Sequence, residues 1–261
     1  MKKAIQQKQP SGAEQQQFTH GEKEQVRLNK YLSMSGYCSR RHADTLIAEQ
    51  RVKIDGETAQ TGTQVAAGQL VTVDDIPIQQ AETHVYIALN KPAGITCTVE
   101  TDVQGNLADF MNFERRIFPI GRLDKDSTGL ILLTSDGDIV NRILRAENNN
   151  EKEYIVKVRS RLTDDFLQKM QQGVEITNMR NKTRTLTKKC RVKKLDDFTF
   201  SIVLTQGLNR QIRRMCTELG YRVAALRRVR IMHIRLADLK LGCWRYLTQQ
   251  EMQALQKTIG G

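Results

Sequence analysis

The sequence has no long apolar segment: among its 261 residues, no aliphatic run is longer than that of Leu130–Leu133. A helix that crosses a membrane needs about 20 apolar residues, so we expect no membrane contact. The N-terminus is charged and polar with no apolar stretch behind it, and we therefore expect no secretory signal and a cytoplasmic location. With 39% hydrophobic and 27% charged residues, the composition still predicts one or two folded domains with a genuine core.

Cysteines, histidines and aromatic residues are also scarce. The five cysteines have no C-x-x-C pair and no nearby Cys/His set: Cys38, Cys97, Cys190, Cys216 and Cys243. This spacing argues against structural zinc and a disulfide framework and favours reduced thiols. The four histidines are equally scattered, which disfavours a histidine-based hydrolase. Because only 5% of the residues are aromatic, a base-stacking platform of the RRM or OB type is disfavoured as well.

Acidic residues are the minority, since 29 Asp and Glu stand against 41 Lys and Arg and give a net charge of +12. The excess is local. Arg180–Lys194 carries +8 and Arg210–Arg235 carries +7, which leaves −3 for the rest of the chain. Positive segments of this size indicate a polyanionic partner, and with so few aromatics we expect them to follow the phosphates of a folded RNA. The alternative is a solvated basic surface with no ligand.

Apolar periodicity divides the chain into four parts. Residues 1–25 show none, which predicts a flexible tail, and residues 76–84 are a predicted linker. Between them, residues 26–75 predict two helices, the second capped by Ser39, followed by a strand hairpin. Residues 85–256 interleave strands and helices irregularly, which is typical of a mixed, mainly antiparallel α+β domain. The strands predicted there are 85–90, 130–134, 153–158, 189–193 and 198–204, and the helices are 105–111, 139–144, 163–172 and 209–219.

Four basic residues in the smaller domain are candidates for RNA binding. Arg27 and Lys30, three positions apart, are predicted to share one side of the first helix. Arg40 and Arg41 follow Ser39 in the first turn of the second helix, where unpaired backbone N–H groups favour a phosphate. By themselves these charges also fit a solvated helix face. The module as a whole resembles the S4 (alpha-L) RNA-binding domain, and the resemblance rests on Arg27–Tyr31, Cys38–Asp44 and Val52–Gly56.

The most informative segment is Gly121–Asp138, in which an apolar strand separates two loops with paired acids. Its start imitates a calcium loop, but Ser135 stands where the bidentate Glu is required. A Mg²⁺-dependent nuclease is disfavoured because the apolar strand keeps the two acid pairs apart. We expect no metal, and we expect Asp126 and Asp136 to act as turn and capping residues.

The same segment closely resembles the aspartate motif of the RsuA/RluB/RluE/RluF family of pseudouridine synthases. Further segments resemble that family in the same order: Leu89–Gly94, Phe118–Asp124, Glu151–Tyr154, Gly207–Met215 and Leu241–Leu247. Residues 188–194 and 230–232 are most similar to the RluF type, which acts on 23S ribosomal RNA. The resemblance implies an S4 domain and then a pseudouridine synthase catalytic domain. It also implies base flipping and isomerisation of a uridine in a 23S rRNA stem-loop, with no cofactor.

The resemblance further implies roles for individual residues. Asp124 is the implied catalytic carboxylate, which either attacks the ribose C1′ or removes the C2′ proton to give a glycal, and Arg213 is its basic partner. Tyr154 is implied to stack on the extruded uracil, and Arg122 to fill the vacated stack or grip a phosphate. The other RNA-binding candidates lie in the basic segments: Lys188, Lys189, Arg210 and Arg214.

On the predicted helix 209–219, Arg210, Arg213 and Arg214 fall on a face other than the apolar stripe. Lys91 either lines the site or sets the Lys–Pro turn. We expect a monomer whose partner is an rRNA stem-loop, with a tRNA loop as a second candidate. The alternative is a non-catalytic S4-type RNA-binding or ribosome-assembly protein on the same scaffold.

Overall fold

The computed structural model describes residues 3–7, 25–79, 84–99, 103–144, 150–177 and 183–259. The N-terminal part contains two short helices and several short strands. In chain order these elements are β1 (Ile5–Gln6), β2 (Gln25–Arg27), α1 (Leu28–Met34), α2 (Arg40–Ala48), β3 (Val52–Ile54), β4 (Glu57–Thr58), β5 (Gln64–Ala66), β6 (Val71–Val73) and β7 (Ile76–Pro77).

The helix–helix–hairpin module predicted from the sequence is present. Leu32 of α1 and Leu46 of α2 are buried in one cluster with Val71 of the sheet. The Ser39 hydroxyl accepts a hydrogen bond from the backbone N–H of His42, so the predicted cap of α2 is confirmed. Strand β3 pairs antiparallel with β6, which confirms the predicted hairpin.

The predicted limits of this module need correction. Strand β7 pairs antiparallel with β6, so Ile76 and Pro77 belong to the sheet rather than to a linker over residues 76–84. Ile78 also packs against the module's core, and its carbonyl accepts a hydrogen bond from the Tyr31 hydroxyl. The linker prediction failed here because a two-residue strand has no periodicity to detect. Residues 80–83 lie outside the described residues.

The larger part is built on one extended sheet. Its elements are β8 (Tyr86–Lys91), α3 (Leu107–Met111), β9 (Phe118–Ile120), β10 (Thr128–Thr134), α4 (Gly137–Leu144), β11 (Lys152–Val158), α5 (Asp164–Gln172), β12 (Glu175–Thr177), β13 (Arg184–Leu186), β14 (Arg191–Lys194), β15 (Thr199–Leu204), α6 (Gln211–Glu218), β16 (Val223–Ile231), β17 (Ile234–Arg235), β18 (Cys243–Tyr246) and α7 (Gln249–Ile259).

The sheet has ten strands, eight of them in the order β1-β18-β8-β10-β16-β11-β15-β14, with β9 added to β10 and β17 added to β16. Only the β1–β18 and β10–β16 pairs are parallel among its described ladders. The mixed, mainly antiparallel α+β architecture is therefore confirmed. Strands β12 and β13 form a separate antiparallel hairpin.

The central strand β10 is apolar because both of its faces are covered. Leu130 and Leu132 enter one buried cluster with residues of α4 and α7, whereas Ile131 and Leu133 enter another with residues of α3. Side chains alternate between the two faces of a strand, so a continuous aliphatic run fits a strand that is buried on both sides. This central position fixes the loop that precedes β10.

Two segments differ from the predictions. The flexible tail predicted for residues 1–25 is wrong for residues 3–7, because β1 pairs with β18 and the Ala4 N–H donates to the Phe110 carbonyl. Strand β16 was not predicted, because it lies in the arginine-rich segment 210–235. The many charged residues there obscure the apolar pattern to which the buried Leu226 and Ile231 belong. Residues 8–24 lie outside the described residues. No helix in the described ranges is long and apolar enough to cross a membrane.

Candidate active site

Asp124 lies in the loop that joins β9 to β10, and local hydrogen bonds fix the shape of this loop. The Ser127 N–H donates to the Asp124 carbonyl at 3.0 Å, and the Gly94 N–H donates to the Lys125 carbonyl at 2.8 Å. The loop side of β10 also approaches β16 closely. A side chain at Gly129, where φ is +106°, would place its Cβ 2.2 Å from the Arg228 carbonyl oxygen, so only glycine fits.

Arg213 on α6 faces the Asp124 carboxylate, as the resemblance implied. Its Nε lies 3.7 Å from Asp124 Oδ2, and its Nη2 donates to the Ser127 hydroxyl at 3.2 Å. The carboxylate is 25% exposed and the guanidinium 17%, so the pair is largely shielded yet open on one side. Helix α6 holds this position because Ile212 and Met215 are buried in the core.

Tyr154 lies two strands away from β10, on β11. It pairs with Arg228 of β16, which in turn pairs with Gly129 at the start of β10. Neighbouring strands are about 4.8 Å apart, so this row places Tyr154 about 10 Å from the Asp124 loop. The register between β11 and β16 shifts between Glu153 and Tyr154, an irregularity of the kind that redirects side chains near functional sites. The half-buried ring packs against two of the apolar clusters.

Lys91 is fully buried, and its ammonium group is used for structure. It donates to the carbonyls of Pro92, Ile95 and Lys125 at 2.8, 2.9 and 3.3 Å. Burial lowers the pKa of Lys91, while the nearby charge of Asp124 opposes that shift. Of the two roles considered for this residue, setting the turn and holding the Asp124 loop is the one that fits its contacts.

Asp126 and Asp136 lie at opposite ends of β10 and do different things. Asp126 is exposed and lies 3.7 Å from Arg210. Asp136 is buried, accepts a hydrogen bond from the Tyr86 hydroxyl at 2.7 Å, and accepts one from the Ile139 N–H at the start of α4. The seven residues of β10 keep the two acids about 20 Å apart, so they do not share one ion. Among the described residues, no group of three His, Cys, Asp or Glu side chains is arranged to hold a metal.

The structure corrects the predicted arrangement of two arginines on α6. The helix begins at Gln211, so Arg210 is the preceding cap residue, in the left-handed conformation with φ of +49°, and not part of a helical face. Arg214 donates to the carbonyls of Thr177 and Asn209 and thereby ties α6 to the β12–β13 hairpin. The RNA-binding role predicted for Arg214 therefore competes with a structural one, because a helical wheel cannot show which backbone carbonyls lie within reach.

The remaining predicted RNA-binding residues lie on the surface. Arg122 is exposed beside the Asp124 loop, and Lys188 and Lys189 are exposed between β13 and β14. The backbone of Lys188 is fixed by a hydrogen bond to the Gln206 side chain. Predicted strand 189–193 is shifted by two residues at its start, since β14 begins at Arg191.

In the small N-terminal module, Arg40 and Arg41 occupy the first turn of α2, as predicted, and both are exposed. Arg27 is the residue before α1 and ends β2, so it does not share a helical side with Lys30. The N-terminal strand pairing of Arg27 with Gln64 explains the difference.

The fold and this site define an RNA pseudouridine synthase that carries an N-terminal S4 domain. The family model for RNA pseudouridylate synthase matches residues 85–218, the model for the S4 domain matches residues 26–84, and the chain belongs to this family.

Among individual relatives, the dual-specificity RNA pseudouridine synthase RluF of Salmonella typhi is 53% identical over 238 residues, which cover 90% of this chain and 80% of the relative. The ribosomal large subunit pseudouridine synthase B of Bacillus subtilis is 31% identical and covers 88% of this chain and 95% of the relative. A crystal structure of a pseudouridylate synthase is 28% identical with a TM-score of 0.63, over 88% of this chain and 99% of that one.

Two residues of the site were not predicted from the sequence. Ser127 contacts Arg213, and Arg228 donates to carbonyls on both sides of Asp124. Arg228 was counted among the surface charges of the basic segment, although it is only 3% exposed. Its position two residues after buried Leu226, on the same face of a strand, was the available signal.

Proposed function

We propose that the protein isomerises a uridine in a stem-loop of 23S ribosomal RNA, and that a tRNA loop is its second substrate. The name of the Salmonella typhi relative, a dual-specificity enzyme, supports two substrates, and the name of the Bacillus subtilis relative supports large-subunit RNA. The observation that carries the catalytic proposal is the pairing of Asp124 with Arg213 in a shielded loop. The same proposal includes a cytoplasmic location, since ribosomal RNA is found in the cytoplasm. It also includes a monomeric enzyme.

Asp124 is the proposed catalytic carboxylate. The Arg213 guanidinium lies 3.7 Å from this carboxylate and leaves one side of Asp124 open to the substrate. The reaction breaks the bond between C1′ and N1, with the electron pair passing to the uracil. It then joins C1′ to C5, releases the proton from C5 and returns one to N1. Direct attack at C1′ and removal of the C2′ proton both begin from ionised Asp124.

Tyr154 is the proposed partner of the uracil ring. Its half-buried ring lies at the edge of two apolar clusters, which leaves part of its surface for an aromatic ligand. Stacking on such a ring offsets part of the cost of removing the base from its helix. The isomerisation changes neither oxidation state nor composition, so it needs no cofactor.

The RNA is proposed to bind across basic residues around the site and on the S4 domain, all of them exposed except the half-buried Lys30. Arg122 is next but one to Asp124 and would fill the stack that the flipped nucleotide leaves. The other proposed phosphate contacts are Arg27, Lys30, Arg40, Arg41, Lys188, Lys189 and Arg210. The affinity that such contacts supply falls as the salt concentration rises, whereas the chemistry depends on the shielded pair of Asp124 and Arg213.

Release of tritium from RNA labelled at uridine C5 tests the proposal, because the C5 proton leaves only if the ring is re-joined. We expect Asp124→Asn to lower the single-turnover rate by at least about 100-fold with RNA affinity retained. Asp126→Asn is the matched control, since its carboxylate is exposed and two residues away, and it should react like the wild type. Full activity in Asp124→Asn would exclude Asp124 as the catalytic carboxylate.

The same assay separates the alternative functions. Wild-type protein that binds 23S rRNA fragments without releasing tritium would indicate a non-catalytic RNA-binding protein. Release should be insensitive to EDTA, and dependence on a divalent ion beyond its effect on RNA folding would contradict the proposed mechanism.

A further inference from the structure

Arg228 is a buried cation without a counter-charge in the centre of the site. Its side chain is 3% exposed, and among the described residues no ion pair includes it. Its Nη2 is buried and has no hydrogen-bond partner among those residues. Burying a guanidinium with an unused donor costs free energy of folding, and the contacts of its other two nitrogens show what Arg228 holds in place.

The two hydrogen bonds that Arg228 does form hold the two sides of the Asp124 loop. Its Nε donates to the Leu130 carbonyl at 2.7 Å, and its Nη1 donates to the Arg122 carbonyl at 3.2 Å. Arg122 precedes Asp124 in the chain and Leu130 follows it. Because the guanidinium is planar, it fixes the directions of both bonds at once, which a single ammonium nitrogen cannot do.

The same side chain also contacts the proposed uracil-stacking residue. Its guanidinium carbon lies 5.9 Å from the centroid of the Tyr154 ring, and the two residues pair across β16 and β11. Arg228 therefore joins the loop that carries Asp124 to the strand that carries Tyr154.

We propose that Arg228 is a positioning residue that sets the placement of the Asp124 carboxylate relative to the Tyr154 ring. This proposal rests on the proposed function of those two residues. Arg228 acts through them: it binds no phosphate and transfers no proton. Reacting groups displaced by about 1 Å lose about 100-fold in rate, so a change at Arg228 should appear in the chemical step and not in RNA binding.

The test compares Arg228→Lys with Arg227→Lys, which makes the same chemical change at the exposed neighbour on β16. We expect Arg228→Lys to lower the single-turnover rate of tritium release by about 100-fold with an unchanged RNA Kd. Arg227→Lys should keep the wild-type rate. A wild-type rate in Arg228→Lys would overturn the proposal. A reduced rate would also overturn it if thermal unfolding showed that the fraction of folded protein had fallen by the same factor as the rate.

Chemical rescue distinguishes positioning from a purely structural role. In Arg228→Ala, added guanidinium at concentrations far below those that unfold the protein should restore much of the lost rate, whereas sodium chloride at equal ionic strength should not. If Arg228→Ala does not fold, the Arg228→Lys rate decides. Equal rescue by both salts would overturn the proposal. A wild-type protein that releases no tritium would instead mean that the proposed function has failed.

Discussion

Positive charge is used in two different ways in this molecule. In the site, Arg213 and Arg228 are largely buried, and each donates to an oxygen of the Asp124 loop: Arg213 to the Ser127 hydroxyl and Arg228 to the Arg122 carbonyl. On the basic surface, Arg40, Lys188 and Lys189 are exposed to solvent. Exposed cations attract RNA phosphates through their summed electrostatic field, which the loss of one side chain changes only slightly. Buried cations act by holding other groups in place, and small displacements of those groups lower the reaction rate steeply. Changes in the site should therefore affect rate steeply, and changes on the surface should affect affinity gradually.

The largest expected effect comes from Gly129→Ala. The added Cβ would lie 2.2 Å from the Arg228 carbonyl oxygen and 2.7 Å from its nitrogen, both backbone atoms, and the positive φ adds strain. We expect the free energy of unfolding to fall by about 3 kcal/mol or more and tritium release to fall below detection. Thermal unfolding and the release assay measure the two effects.

Gly137→Ala is the matched control for that substitution. Apart from its chain neighbours and the backbone of its own helix, no atom of the described residues lies within 4 Å of a Cβ placed there. The residue starts helix α4, so stability should stay the same or rise by up to about 1 kcal/mol. If the two variants behaved alike, the close approach of β10 and β16 would not control the site.

A smaller effect is expected for Ser127→Ala, which removes the hydroxyl that accepts from Arg213 Nη2 but leaves the Ser127 N–H bonded to the Asp124 carbonyl. The loss of one hydrogen bond to a charged group is worth about 2 kcal/mol, so the single-turnover rate should fall by about 10- to 30-fold. Ser135→Ala also removes a buried hydroxyl, one that accepts from the Val85 N–H, but outside the site. It should lower stability and keep the rate; an equal rate loss in both would show that Ser127 acts only through stability.

The smallest effect on chemistry is expected on the basic surface. The double variant Lys188→Gln with Lys189→Gln should weaken RNA binding and lower the slope of log affinity against log salt by up to about 2, with an unchanged single-turnover rate. A double variant at Lys169 and Lys257, on α5 and α7, removes the same charge outside the basic segments and should change the slope less. If the double variant at Lys188 and Lys189 lost as much rate as Ser127→Ala, the proposed difference between the site and the basic surface would be wrong.

The sequence was most predictive where a residue acts through local pattern. The apolar run of β10, the Ser39 cap and the apolar stripe of α6 each follow from periodicity or a short-range hydrogen bond, and all three are present. The pairing of Asp124 with Arg213 was also predicted, but only by resemblance, because the two residues are 89 positions apart in the chain.

The features that were missed depend on contacts between distant segments. Strand β1 exists because β18 offers it an edge, and nothing in residues 1–25 alone indicates that. Arg228 was counted as a surface charge because its face of β16 is buried only when β10 and β11 flank it. Arg214 was predicted to bind RNA because the carbonyl to which it donates, that of Thr177, lies outside the helix and cannot be found from the helical pattern.

The parallel pairing of β10 with β16 has a consequence for how the enzyme matures. The hydrogen bonds from Arg228 to Leu130 and Arg122 join residues 98 and 106 positions apart. A ribosome adds about 5–20 residues each second, so the Asp124 loop waits about 5–20 s in a growing chain before its partner strand is made. The two small sheets of the S4 domain, whose strands all lie between Gln25 and Pro77, require no such wait. A nascent chain is therefore expected to acquire its RNA-binding module first and to remain chemically inactive until its C-terminal strands have formed.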